Sequence, residues 1–211
     1  MINQMVEKMG SKLLIASNNQ KKIKEIKEIL GDFFDEFVTF SDYNLDSPEE
    51  NGDTFSQNSL IKAKFGCDNT NLVTLADDSG LCVPFLNGEP GIYSSRYACE
   101  GDDLKNYVKL LDKLKDVPDN KREAYFISVI VMVFPNGKTL TSEGRVYGNI
   151  TKEPRGENGF GYDPIFFLDE FKATMAELSS NDKNNISHRA IALKKMREKL
   201  GGVISEDSCN K

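Results

Sequence analysis

The chain has 211 residues, 39% apolar and 28% charged, which is enough for a sizeable core and too apolar for a disordered chain. Lysine and arginine total 27 against 33 aspartate and glutamate, and a net charge of −6 argues against long DNA or RNA as a partner. Four widely spaced cysteines and a single histidine exclude a C-x-x-C zinc site and a His-rich metal centre.

Met1–Ser11 is polar and lacks the apolar run of a signal peptide. The most apolar run, Tyr125–Phe134, is well short of the ~20 residues that span a bilayer. The expectation is a cytoplasmic chain with no membrane segment: an extension over 1–11, one domain over 12–200 and a flexible tail over 201–211.

Lys12–Ser17 reads as a strand buried on both faces. Lys21–Leu30 places Ile23, Ile26, Ile29 and Leu30 on one side of a helix that Gly31 stops. Asp53-Thr54-x-x-Gln57 opens a second helix running to about Phe65. Leu72–Ala76 is another buried strand. Asp102 and Asp103 open a helix with Leu104, Tyr107, Val108, Leu111 and Leu114 at helical spacing, ended by Pro118. Ala124–Phe134 meets Thr139–Val146 across Pro135-Asn136-Gly137 in a hairpin. Ile186–Leu200 is a final helix stopped by Gly201-Gly202. Strand–helix units plus a hairpin predict an α/β or α+β domain with a mixed sheet.

Five constellations carry candidate chemistry. The turn Ser17-Asn18-Asn19-Gln20-Lys21-Lys22 joins a strand to a helix N-terminus, where amide protons and the helix dipole suit phosphate; an ordinary Asn-rich turn fits as well. Glu49-Glu50 precede the second helix, on which Asn58 and Lys62 share a face; solvated acids and an exposed lysine fit these residues too. Asp77 and Asp78 end a buried strand, where α/β sheets place their sites. Both can serve one centre only if the chain turns at Ser79-Gly80, and Asp and Ser are also common turn formers. Gly159-Phe160-Gly161-Tyr162-Asp163 allows close approach of a flat ligand to Phe160, or a strand entry with a core aromatic. Lys183, His188 and Arg189 bring three potential cations near the last helix, or a surface pair.

Taken in order, the segments resemble the inosine triphosphate pyrophosphatase family, which hydrolyses non-standard purine nucleoside triphosphates. The resemblance rests on Ser17-x-Asn19-x-x-Lys22, Glu49-Glu50-x-Gly52-x-Thr54-Phe55, Asn58 with Lys62-Ala63, and Ala76-Asp77-Asp78-Ser79-Gly80-Leu81. It continues through Pro90-Gly91-Ile92-Tyr93-Ser94-Ser95-Arg96-Tyr97, Gly159-Phe160-Gly161-Tyr162-Asp163-Pro164-Ile165-Phe166, and Ala176-Glu177-Leu178 followed by Lys183 and Ser187-His188-Arg189.

The resemblance implies an elongated mixed sheet with helices in two lobes, a nucleotide cleft between them, and a homodimer. It assigns Ser17, Asn19, Lys22 and Lys62 to the triphosphate, with Asn18 a substrate contact in the same turn, and makes Lys62 catalytic together with Asp78. Glu50 and Asp78 become Mg²⁺ ligands, and Asp78 either accepts the proton of the attacking water or acts by holding a metal-bound water. Ser79, Phe160, Gly161, Tyr162, Asp163, Lys183, His188 and Arg189 become nucleotide contacts, with Phe160 stacked on the base. Charge supports the metal: the four cations Lys22, Lys62, Lys183 and Arg189 are nearly matched by Glu50, Asp77 and Asp78. A triphosphate's roughly four negative charges then call for a hard divalent ion.

Departures from the family's pattern are Asn18 and Lys21, where members often carry glycine, and Ser59 for a common alanine. Two other readings stay open on sequence: a pyrophosphatase for modified pyrimidine nucleotides, and a nucleotide sensor that has lost hydrolysis.

Overall fold

The computed structural model describes residues 10–179, 182–183 and 186–209; residues 1–9 of the expected extension and the last two of the expected tail lie outside them. Seven strands form: β1 (Gly10–Ile15), β2 (Phe34–Thr39), β3 (Val73–Cys82), β4 (Glu123–Val133), β5 (Thr139–Ile150), β6 (Phe166–Leu168) and β7 (Ala173–Thr174). They make one sheet in the order β2-β1-β3-β4-β5-β6-β7. It is mixed: β1 pairs parallel with β2 and β3, and β6 pairs antiparallel with β5 and β7. The principal helices are α1 (Gln20–Leu30), α2 (Phe55–Thr70), α3 (Asp103–Lys113) and α4 (His188–Cys209). The expected α/β class with a mixed sheet is what the chain adopts. No helix among the described residues is long and apolar enough to cross a membrane.

Contacts divide the chain into two compact units. The first comprises the chain up to Asp78, Val129–Gly144 and the chain from Ala190; the second comprises Ser79–Ser128 and Arg145–Arg189.

In the first unit, Leu13 and Ile15 of β1, Ile23, Ile26 and Leu30 of α1, Leu75, Ile130, Met132, Leu193 and Met196 form one apolar core. The isoleucine spacing that predicts α1 is the face it buries. From β1 the chain steps to β2 on one side, then recrosses β1 to reach β3 on the other. Right-handed parallel connections therefore put α1 and α2 on opposite faces of the sheet. The strand order reverses beside β1, the position where open α/β sheets bind ligands. Helix α2 lies unusually close to the sheet at Gly66: a Cβ there would stand 2.8 Å from Thr74 Cγ2 and 2.9 Å from Leu14 Cδ2 and Phe40 Cε1.

In the second unit, Leu81, Val83, Leu110, Leu114, Phe126, Ile150, Tyr162 and Phe166 pack together. Arg122 is buried beside them and donates to three backbone carbonyls: Ile150 O (2.7 Å), Thr151 O (2.8 Å) and Leu114 O (2.5 Å).

Several elements differ from expectation: β6 and β7 have no counterpart in the sequence reading, β3 and β5 run on to Cys82 and Ile150, and four others depart as follows. β2 carries no sequence signal, because Phe34–Thr39 mixes two charges with its apolar residues and lies at the sheet edge. Helix α2 runs to Thr70, where Asn71 closes it in the left-handed conformation, rather than to Phe65. Helix α3 ends at Lys113, ahead of Pro118, and buries Leu110 and Leu114 while Leu104 and Val108 stay exposed. Helix α4 passes through Gly201-Gly202, so residues 201–209 of the expected tail are helical. A helical glycine costs only about 1 kcal/mol, and buried Leu200 and Val203 hold the turns on either side.

Candidate active site

The turn after β1 is tightly held. Asn19 caps α1, its Oδ1 accepting from the amides of Lys21 (3.0 Å) and Lys22 (3.3 Å). Its own amide donates to Ser17 Oγ at 3.2 Å, and Asn18 Oδ1 accepts from Ser41 Oγ at 3.1 Å. Asn18, in the place of the family's common glycine, thus pins the turn to the segment after β2. Two of the helix-start amides expected to meet phosphate are already satisfied by Asn19.

The chain does not turn at Ser79-Gly80. β3 continues in extended form to Cys82, because Leu81 and Cys82 are buried and held like the residues before them. The condition for Asp77 and Asp78 to serve one centre therefore fails, and their side chains alternate between faces. Asp77, with its side chain fully buried, meets Lys22 of α1: Nζ to Oδ2 is 2.8 Å. Asp78 meets Lys62 of α2, with Nζ 3.6 Å from Oδ1. Each helix supplies the lysine for the carboxylate on its own face.

Lys62 gathers three oxygens. Its ammonium lies 3.1 Å from Glu50 Oε2 and 3.6 Å from Asp78 Oδ1, and donates to the Asp77 carbonyl at 3.2 Å. The loop carrying Glu50 is fastened to α2 at two points. Asp53 N–H donates to Gln57 Oε1 at 2.7 Å, and Gly52 N–H donates to Asn58 Oδ1 at 2.8 Å. Thr54 caps the helix by accepting from Gln57 N–H, as the sequence signature predicts.

Asp78 is the strained member. It is 9% exposed, and its Oδ2 is buried with no hydrogen-bond partner among the described residues. Burial pushes its carboxyl up to about 6; Lys62 and Lys22 pull it down, while Glu50 and Asp77 add to the rise. A hard divalent cation fits this donor set. Two carboxylates already converge on one positive charge, and one buried carboxylate oxygen is unsatisfied. No set of three or more His, Cys, Asp or Glu side chains that could hold a metal occurs among the described residues, so substrate and water oxygens would complete the shell.

In the second unit, Gly159–Asp163 forms a knot around Phe160. Asp163 Oδ2 accepts from Phe160 N–H at 2.9 Å and from Lys183 Nζ, and that ammonium stands 4.7 Å from the Phe160 ring centroid. Gly159 has φ +84°, and a Cβ there would stand 2.2 Å from Asp163 Oδ2, so the knot needs glycine. Gly161 N–H donates to Asp103 Oδ2 at 2.7 Å. Tyr162 is buried and its hydroxyl donates to Ser94 O at 2.9 Å, so its side chain anchors the loop. Arg189, 2% exposed, donates to Ser79 Oγ at 3.3 Å, and His188 stacks on Phe126 with centroids 5.0 Å apart.

The structure therefore brings Glu50, Lys62 and Asp78 into one cluster, Lys22 to Asp77, Phe160, Asp163 and Lys183 into a second cluster, and Arg189 to Ser79. Ser17, Asn18 and Asn19 share the turn after β1. Asp103, a helix opener by its sequence position, also binds the Gly161 loop, and a partner 58 residues away leaves no local signal.

The sequence model of the Ham1 family matches residues 13–199. Among relatives, the dITP/XTP pyrophosphatase of Clostridium perfringens is 47% identical over 201 residues, covering 92% of this chain and 98% of the relative. That of Haemophilus influenzae is 45% identical, covering 91% and 100%. Among solved structures, the Staphylococcus aureus Ham1 protein superposes with a TM-score of 0.84 at 43% identity, covering 91% of this chain and 99% of that one.

Proposed function

The chain belongs to the Ham1 family, and we propose on that premise that it hydrolyses dITP, ITP and XTP to the nucleoside monophosphate and pyrophosphate, clearing non-standard purines from the nucleotide pool. The observation that carries the reading is the convergence of Glu50 and Asp78 on one positive charge, with a buried Asp78 oxygen left unsatisfied. Residues 12–200 act as one pyrophosphatase domain, in line with the family match over 13–199.

A divalent metal, Mg²⁺ in this reading, is held by Glu50 and Asp78. When bound it neutralises triphosphate charge and makes the phosphorus more electrophilic. Lys22 and Lys62 hold phosphate oxygens, with Ser17, Asn18 and Asn19 lining the turn beside them. Asp78 Oδ2 takes the proton of the attacking water; its buried, partner-free position supports that role.

Phe160 stacks on the base, and Lys183 and Asp163 keep its ring in place. Gly161 allows close approach, and the Tyr162 side chain anchors the loop from the core. Arg189 and His188 donate to the C6 oxygen that hypoxanthine and xanthine carry and adenine lacks, with Ser79 orienting Arg189. A buried mismatch with adenine's amino group costs roughly 1–3 kcal/mol. The reading includes a homodimer and a cytoplasmic setting, which the free thiols of Cys67, Cys82 and Cys99 suit.

The test is a substrate panel of ITP, dITP, XTP, dUTP and dTTP with Mg²⁺, with both phosphate products assayed. Pyrophosphate from the inosine and xanthosine nucleotides is expected. Orthophosphate as the main product, or a preference for the pyrimidines, would refute the reading.

A further inference from the structure

Lys62 occupies the position a cation would take between Glu50 and Asp78. Its side chain is 9% exposed, and its ammonium is surrounded by Glu50 Oε2, Asp78 Oδ1 and the Asp77 carbonyl at 3.1, 3.6 and 3.2 Å. The ammonium donates to the Asp77 carbonyl and pairs with two carboxylates, so oxygens from three residues surround it. These are the hard oxygen ligands that a divalent cation seeks. Lys22 meanwhile neutralises Asp77 at 2.8 Å. The three carboxylates thus face two ammonium groups, and the cluster's residual charge is a single negative one. A divalent ion entering it alone would meet a neighbouring ammonium and leave the cluster positive.

We propose that the Lys62 ammonium is a built-in stand-in for the divalent cation, closing the Glu50–Asp78 site until a triphosphate draws the lysine away. The inference rests on the reading of Glu50 and Asp78 as metal ligands. A triphosphate brings about four negative charges, enough to accept Lys62 as a phosphate partner and to hold the metal at the vacated carboxylates. Asp78 contributes to both states with different atoms: Oδ1 faces Lys62, while Oδ2 has no hydrogen-bond partner among the described residues. The consequence is an order of events in which metal and nucleotide enter together and metal alone binds weakly.

The test measures Mn²⁺ binding by electron paramagnetic resonance on the full chain without nucleotide. Lys62→Gln, which removes the charge and keeps a polar side chain, is expected to bind Mn²⁺ at least tenfold more tightly than the unmodified protein. Lys62→Arg, which keeps the charge, is expected to bind as weakly as the unmodified protein. Equal or weaker binding by Lys62→Gln overturns the inference alone. Adding Glu50→Gln to Lys62→Gln should abolish the gain; persistence of the tight site overturns the ligand assignment and this inference with it. A melting experiment on the unmodified protein guards against a misfolded variant. Mg²⁺ alone should leave Tm unchanged, while Mg²⁺ with a non-hydrolysable ITP analogue should raise it. An equal rise with Mg²⁺ alone overturns the stand-in.

Discussion

Asp77 and Asp78 are consecutive on β3 yet paired to lysines from different helices, Asp77 to Lys22 of α1 and Asp78 to Lys62 of α2. The alternation of an extended strand and the opposite placement of the two helices produce this arrangement together. Two adjacent acids therefore do different work. Asp77 is fully neutralised by a close ion pair and serves to hold Lys22. Asp78 keeps an unsatisfied oxygen and is the acid available to substrate or metal.

Asp78→Asn should separate stability from activity. Activity is expected to fall by at least about a thousandfold, as when a proton acceptor and metal ligand is lost together. Stability without metal should move the other way. Burial raises the native carboxyl from 3.8 to about 6, so its contribution is fully present below pH 3.8 and is lost as pH rises through 6. The unmodified protein should therefore lose up to about 3 kcal/mol from this group between pH 4 and pH 7.5. Asp78→Asn escapes that loss. Urea unfolding of both proteins in EDTA at the two pH values would check this; a stability difference that does not grow with pH would contradict it.

Asp77→Asn should behave in the opposite sense. The buried side chain would no longer neutralise Lys22, and breaking a buried pair costs about 3–5 kcal/mol. Thermal melting should show a lower Tm at neutral pH, with a raised KM through a misplaced Lys22. A Tm at or above that of Asp78→Asn would count against the assignment of the two roles.

Local signals sufficed for several elements: the isoleucines of α1, the Thr54–Gln57 cap of α2 and the Pro135-Asn136-Gly137 turn all stand as the sequence predicts. The candidate cluster was legible because motif order carries it, with Glu50, Lys62 and Asp78 each in its own segment. Three features were hidden for physical reasons. Asp77-Asp78-Ser79-Gly80 has the composition of a turn, and only burial of Leu81 and Cys82 beyond it keeps the strand extended. The Gly201-Gly202 pair reads as a stop, yet tertiary burial of Val203 outweighs two modest helix penalties. Asp103 and Arg122 act on backbone groups distant in the chain, and no local pattern announces such partners.

Phe160→Ala should raise KM for ITP by roughly 5- to 100-fold, the worth of one base stacked on an aromatic ring. It should leave kcat within about threefold, because the ring's own partners are Lys183 and Asp163, to which this reading gives no part in the chemical step. Steady-state kinetics decide. A collapse of kcat at constant KM would mean that Phe160 does not stack on the base.

Gly66→Ala should destabilise the protein although alanine is the better helix former. The added methyl would stand within 2.9 Å of Leu14, Phe40 and Thr74, where α2 approaches the sheet. Overpacking of this kind costs about 1–3 kcal/mol, which for a chain of this size is a Tm lower by about 2–12 °C. A higher Tm would show that α2 can move away from β3 without cost.

Arg122→Met should destabilise through the backbone carbonyls that the guanidinium holds. The guanidinium is 2% exposed and donates to the carbonyls of Leu114, Ile150 and Thr151. These three carbonyls end α3, end β5 and begin the loop that leads to Gly159. Methionine fills much of the volume but leaves the carbonyls without donors, at about 1–3 kcal/mol for each group not rescued by water. Lysine restores the charge yet cannot span three acceptors from one planar fork. Both variants should therefore lower Tm, Arg122→Met more than Arg122→Lys, and both should raise KM for ITP through the loop that carries Phe160. A drop in Tm with KM unchanged would confine Arg122 to the core and detach it from the base-binding loop.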